Sequence, residues 1–148
     1  MFQRILVPID LNECDVIDRT MQMAVEQVRL SGGELHLVHV LPVIHVAIVS
    51  NFFPPDATAR MRESSEQRLQ QLQTQYVPSD MRCHRHVAEG KTYEAIIDVA
   101  VAQGCDLIMM PSQERSQLDR VMLGSVAEKV VAYSPVHVLV IKPDSDSE

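Results

Sequence analysis

The chain has 148 residues, of which 46% are apolar and 22% charged, so it fits one globular domain of ordinary composition. Its net charge of −7 argues against nucleic acid as a partner, because phosphate contacts need clustered cations and the 13 lysines and arginines are dispersed among 20 acids. No apolar run reaches the ~18 residues of a membrane span, and the amino terminus lacks the pattern of a signal peptide.

The three cysteines, Cys14, Cys83 and Cys105, are odd in number and widely scattered. They form neither a disulfide framework nor a zinc ribbon, and the pattern suits a reducing compartment. We therefore expect a cytoplasmic protein in which Cys83 and Cys105 are small buried residues rather than nucleophiles.

The first third of the chain alternates between strand and helix patterns. Residues 4–10 form a β-branched run ending in an acid, and its continuous apolar character predicts a strand buried on both faces of a parallel sheet. Residues 15–30 carry apolar side chains at helical spacing, and a second buried strand is predicted over 34–41. The apolar, proline-containing segment 43–55 is interpreted as a loop or a short irregular helix.

The rest of the chain continues this alternation. An acidic tail over 143–148 is expected to be disordered, which leaves 1–142 as the predicted domain. Helices are predicted over 56–76, 92–103 and 125–133, strands over 81–88, 106–110 and 136–141, and a loop over 111–118.

This element order predicts an α/β fold, with right-handed βαβ units and an open, doubly wound, five-stranded parallel sheet covered by helices on both faces. Ligands of such sheets bind beyond the carboxyl ends of the strands, where the strand order reverses. The predicted site lies in the loops after the first, second and fourth strands, which begin at Asp10, at Val40 and Leu41, and at Pro111.

The segment Gly124-Ser125-Val126-Ala127-Glu128 is the most informative stretch of the chain. Ser125 and Glu128 have the spacing of a capping box, in which the serine hydroxyl accepts from the amide of Glu128 and the carboxylate reaches back. A glycine before a helix start also lets a ligand approach amides that attract anions. The segment by itself fits either a cap that only starts a helix or an anion site.

The same segment lies in a longer pattern. Asp106-Leu107-Ile108-Met109-Met110 is followed by Leu123-Gly124-Ser125-Val126-Ala127-Glu128-Lys129-Val130 and by a strand from Pro135 to Lys142. This pattern resembles the last β-α-β unit of the universal stress protein family, and Ile5-Leu6-Val7-Pro8-Ile9-Asp10 is similar to that family's first strand. The resemblance implies an adenine-nucleotide α-hydrolase-like fold and a stress-response regulatory module without catalytic residues.

The resemblance also bears on ATP. Family members that bind ATP carry Gly-x2-Gly-x9-Gly-[Ser/Thr], whereas here Pro111 and Glu114 replace the first two glycines and only Gly124-Ser125 match. Pro111 has no amide to donate and Glu114 adds negative charge, so the resemblance implies weakened binding of ATP with Mg²⁺. An alternative interpretation is a protein-interaction module that binds no nucleotide.

The resemblance implies particular contacts for a bound nucleotide. Asp10 would contact the ribose or adenine end, Val40 the adenine through its backbone, and Ser125 the phosphates. The remaining contacts lie after the fourth strand and at the last helix start: Ser112, Gln113, Arg115, Gly124 and Val126.

Family members commonly dimerise through the fifth strand, and residues 136–141 form an apolar edge that a homodimer would cover.

A phosphoacceptor receiver domain shares the layout, but Asp10 has no acidic neighbour and Ala88-Glu89-Gly90 stands where a receiver needs an aspartate. A slow ATPase would need a base near the γ-phosphate, and 111–118 offers none.

His84 and His86 lie on one face of the predicted third strand, with the spacing of a histidine pair. The sequence places no third or fourth ligand near them, so no metal site is predicted.

Overall fold

The computed structural model describes residues 1–12, 17–42, 56–112 and 123–142. The predicted segment 43–55, the first residues of the helix expected over 15–30, most of the 111–118 loop and the 143–148 tail lie outside these ranges. The helices are α1 (Ile17–Ser31), α2 (Ala57–Tyr76), α3 (Thr92–Ala102) and α4 (Ser125–Tyr133). The strands are β1 (Arg4–Pro8), β2 (Glu34–Leu41), β3 (Arg82–Glu89), β4 (Leu107–Pro111) and β5 (His137–Ile141).

All five strands pair in parallel, in the order β3-β2-β1-β4-β5. The chain builds outward from β1 to β3, then crosses back to place β4 on the other side of β1. The predicted doubly wound fold is confirmed, and the observed strand ends differ from the predicted ones by only one or two residues. The strand order reverses between β1 and β4, so a crevice is expected beyond their carboxyl ends.

Alternating side chains of the sheet enter two separate cores. Ile5 and Val7 point to one face, where α1 and α2 contribute buried residues such as Met21 and Leu69. Leu6 points to the other face, into a core that also contains residues of α3 and α4. Burying a large aliphatic side chain contributes about 1.5–3 kcal/mol, so the two cores hold the strand ends in place.

None of the described helices is both long enough and apolar enough to cross a membrane.

Candidate functional site

A cleft of about 320 Å³ opens beyond the carboxyl ends of β1, β2 and β4, where the sequence predicts the site. This volume lies at the lower end of the range for small-molecule pockets. The walls are largely apolar and carry a few polar groups. The residues that line the cleft are Pro8, Ile9, Asp10, Asn12, Ile17, Val38, His39, Val40, Pro42, Thr92, Ile96, Met110, Pro111, Ser112, Leu123, Gly124, Val126 and Ala127.

Helix α4 begins against this cleft. Gly124 has φ 85° and ψ 149°, a conformation open almost only to glycine, and its carbonyl accepts from the amide of Glu128 at 2.9 Å. No side chain caps the helix from this position. The first amides of a helix have no carbonyl partner within it, so α4 presents donors and the positive end of its dipole to the cleft.

The predicted capping box is wrong. Ser125 is the first helical residue rather than the N-cap, and the N-cap is Gly124, which has no side chain to accept a bond. The positive φ of Gly124 turns the chain directly into the helix, which displaces Ser125 by one position from the place where its hydroxyl could reach the amide of Glu128.

Two polar residues follow β1 at the mouth of the cleft. The amide of Asn12 donates to Oδ1 of Asp10 at 2.9 Å, forming a local turn that orients the carboxylate. Asp10 is exposed and lines the cleft, so its carboxylate lies at the edge of the ligand space.

The end of β2 forms the neighbouring wall. The amide of Glu34 donates to Gln3, and Val38 accepts from the amide of Ile9, so the even-numbered residues of β2 direct their backbone groups towards β1. Val40 is the next even residue and lies beyond the last β1 residue paired with β2. Val40 also lines the cleft.

His39 is a cleft residue that the sequence analysis missed. Its Nδ1–H donates to the carbonyl of Ile9 at 2.9 Å, which leaves Nε2 as an acceptor. The sequence does place His39 near the end of the predicted second strand. Its hydrogen-bond partner, the carbonyl of Ile9, lies 30 residues away in the chain and is identified only by the pairing of the strands.

The fourth strand completes the cleft. Both the amide and the hydroxyl of Ser112 donate to the carbonyl of Ile141, at 2.9 and 3.2 Å, and the residue is buried. The hydroxyl proton of Ser112 is therefore donated to β5, although the hydroxyl oxygen can still accept a hydrogen bond. Pro111 lines the cleft beside it and contributes no amide.

Comparison with known proteins identifies this architecture. The model described as the universal stress protein family matches residues 1–142. The chain belongs to the universal stress protein family.

Individual relatives agree over almost the full length. Universal stress protein G of Shigella flexneri is 26% identical over 145 residues, covering 96% of this chain and 100% of that protein. The solved structure of a universal stress protein of Methanocaldococcus jannaschii has a TM-score of 0.79 at 24% identity and covers 99% of both chains. A universal stress protein from Archaeoglobus fulgidus, solved in complex with dAMP, has a TM-score of 0.65 at 20% identity, over 95% of this chain and 98% of that one. These structural likenesses establish the shared fold.

Most of the site residues that the family resemblance implies meet at the cleft of this universal stress protein. Its lining includes Asp10, Val40, Ser112, Gly124 and Val126. Ser125 is exposed and lies between the last two. Gln113 and Arg115 lie outside the described residues, as does Glu114. Their roles stay predictions.

The expectation that the His84 and His86 pair has no further ligand nearby is wrong. The parallel register places His36 of β2 directly opposite His84, and a carboxylate oxygen of Glu34 lies 3.5 Å from Nε2 of His84. The predicted sharing of one face by His84 and His86 is correct, since both rings stack on His36. Neighbours from another strand cannot be found by spacing within one strand.

Proposed function

We propose that this universal stress protein binds an adenine nucleotide, ATP with Mg²⁺, in the cleft, and acts as a cytoplasmic, dimeric stress-response regulatory module rather than an enzyme. The observation that carries this proposal is the start of α4, which directs amides without a side-chain cap into a cleft of nucleoside size. The dAMP held by a fold neighbour supports the same ligand class.

The base and sugar would lie at the β1 and β2 side of the cleft. Ile9, Val38 and Met110 supply apolar wall against which a purine can pack. The backbone of Val40 offers an amide and a carbonyl to the base edge, and the Asp10 carboxylate accepts from ribose hydroxyls.

The phosphates would lie at the start of α4. The backbone at Gly124 allows close approach, and the amides of Ser125 and Val126 donate to phosphate oxygens. Mg²⁺ would arrive with the nucleotide, held mainly by phosphate oxygens and water. Because Pro111 removes one donor from the opposite wall, we expect weak affinity, with a dissociation constant of roughly 0.1 mM.

The ionisable side chains of the cleft support a binding role rather than turnover. Within the described ranges these are Asp10 and His39, which respectively follow β1 and lie near the end of β2. A base that activates water must reach the γ-phosphate. We therefore expect bound ATP to hydrolyse no faster than ATP in buffer.

The dimer would form through β5, an edge strand whose Leu139 is 41% exposed. Pairing with a second copy would cover this apolar edge and satisfy its outward backbone groups.

Calorimetric titration with ATP, ADP and AMP, each with and without Mg²⁺, tests the nucleotide site. Gly124→Asp places a carboxylate at the helix start and a side chain on backbone with positive φ, so we expect no detectable binding in this variant. Gly32→Asp is the matched control, because Gly32 also has positive φ and an added Cβ there meets no atom within 4 Å.

Unchanged affinity in Gly124→Asp would show that the nucleotide, if bound, lies elsewhere. Failure of all three nucleotides to bind the parent protein at millimolar concentration would favour the interaction module that binds no nucleotide. The mass of each variant in solution, measured in parallel, is expected to stay unchanged because Gly124 lines the cleft and is not part of β5.

A further inference from the structure

Four polar side chains meet on the face of the sheet that carries α3 and α4, near the amino ends of β2 and β3. Glu34 and His36 lie two positions apart on β2, and His84 and His86 lie two positions apart on β3. The parallel register pairs His36 with His84, so all four side chains project from the same face. Strand pairing thus joins residues that are about 50 positions apart in the chain.

Three of these side chains have the geometry of a metal-binding group. One donor atom each from Glu34, His36 and His84 lies within 4.8 Å of the others. Oε1 of Glu34 is 3.0 Å from Nε2 of His36, and Oε2 of Glu34 is 3.5 Å from Nε2 of His84. Ligand atoms on a tetrahedral zinc ion lie about 3.4 Å apart, so small side-chain rotations would close the group around an ion.

We propose that Glu34, His36 and His84 form a binding site for a divalent transition-metal ion, with Zn²⁺ as the best match. Two imidazoles and one carboxylate are a common zinc ligand set, and the fourth position would be taken by water. The hard ions Mg²⁺ and Ca²⁺ prefer oxygen ligands, whereas two of the three donors here are nitrogen.

His86 contacts the His36 ring at the nitrogen that does not face Glu34. Its ring is nearly parallel to that of His36, at 8°, and its Nε2 lies 2.9 Å from Nδ1 of His36. When Nε2 of His36 binds the ion, its Nδ1–H donates to His86, which holds the ring in the ligating orientation.

The His36 ring is held at the centre of the group. It is only 2% exposed, and its two nitrogens contact Glu34 at 3.0 Å and His86 at 2.9 Å. Its position is therefore fixed from both sides.

Solvent reaches the group through His84, whose side chain is 51% exposed. Arg4 occupies the other side, where its Nε forms an ion pair with Oε1 of Glu34 at 3.1 Å. Oε2, which faces His84, is therefore the oxygen that takes the ion. None of these groups lines the cleft, so the two proposed sites share no residue.

Titration with ZnCl₂ alone, using protein free of any histidine tag, tests the proposal by calorimetry. We expect one Zn²⁺ per chain with a micromolar dissociation constant, and a loss of more than about a hundredfold in affinity for His84→Ala and Glu34→Gln. His86→Ala, which removes the positioning ring, is expected to lose about tenfold. His137→Ala is the matched control, since it removes an exposed histidine from β5 and leaves the group intact.

Replacing Zn²⁺ with Co²⁺ separates this site from binding at cysteine, because thiolate ligands add a charge-transfer band that imidazole and carboxylate ligands lack. The proposal would be overturned by a thiolate band in the Co²⁺ spectrum. It would also be overturned by stoichiometric binding that His84→Ala and Glu34→Gln leave unchanged, or by no binding below millimolar Zn²⁺. Circular dichroism of the variants checks that they fold. ATP titration of the same variants is a separate readout, which keeps failure of this site distinct from failure of the nucleotide site.

Discussion

Burial controls the chemistry of single side chains, as the two described cysteines show. It raises the pKa of both Cys83 and Cys105 to about 11; Asp106 adds to the shift at Cys105, and Arg85 opposes it at Cys83. Cys105 is buried, as expected, while Cys83 is only half-buried. Since a thiolate is the reactive species, both residues are expected to be inert near neutral pH.

This inertness can be measured in a Cys14→Ser variant, which retains only the two described cysteines. At pH 8 we expect labelling by a thiol-specific disulfide reagent to be about a hundredfold slower than for a free thiol, because far less thiolate is present. Labelling in urea is the control and should be fast. Rapid labelling of the native variant would contradict the assigned burial.

The same shifts set a pH dependence of stability. Both folded-state pKa values are raised above the ordinary value of 9.0, so the unfolded chain ionises first. The contribution of these thiols to the free energy of unfolding is fully present below pH 9 and is lost as the pH rises towards 11.

At the scale of elements, the connection from α1 to β2 depends on two adjacent glycines with different roles. Gly32 has φ 69° and its amide donates to Val28, which ends α1. Gly33 lets β2 begin against β1, because a Cβ there would lie 1.9 Å from the carbonyl oxygen of Gln3. That same carbonyl accepts from the amide of Glu34 at 2.7 Å.

We therefore expect Gly33→Ala to lower the free energy of unfolding by about 3 kcal/mol, since relief of the clash must move the backbone at the start of the sheet. Gly32→Ala, which meets no neighbouring atom, should cost only about 1 kcal/mol through its positive φ. Urea unfolding of both variants measures the difference. Equal losses would show that the close approach is not a constraint.

At the scale of the whole molecule, the sheet has two different edges. The outer strand β3 carries charged residues such as Arg82, Arg85 and Glu89, which discourage pairing with another chain. The other edge, β5, is the apolar run HVLVI. This contrast supports β5 as the proposed dimer edge.

Leu139→Lys tests that assignment, because a lysine on an edge strand opposes pairing with a second strand. We expect this variant to sediment as a monomer and the parent protein as a dimer. Leu30→Lys is the matched control, since Leu30 lies on α1 and is 83% exposed, and it should remain dimeric. A dimer that persists in Leu139→Lys would place the interface elsewhere.

The sequence by itself determined the order of helices and strands, because the periodicity of apolar residues and the positions of glycine are local properties. From that order followed the doubly wound sheet, the end of the sheet that holds the cleft, and the loops that begin there at Asp10, Val40 and Pro111. Gly124 was indicated by its own segment and by the family resemblance. Only the tertiary structure decided which strands are neighbours and in what register. The contact of His39 with Ile9 and the group of Glu34, His36 and His84 depend on that pairing, which no spacing within a strand encodes. The start of α4 was also decided only by the tertiary structure, because the backbone angles of Gly124, rather than the spacing of Ser125 and Glu128, determine which residue is the cap.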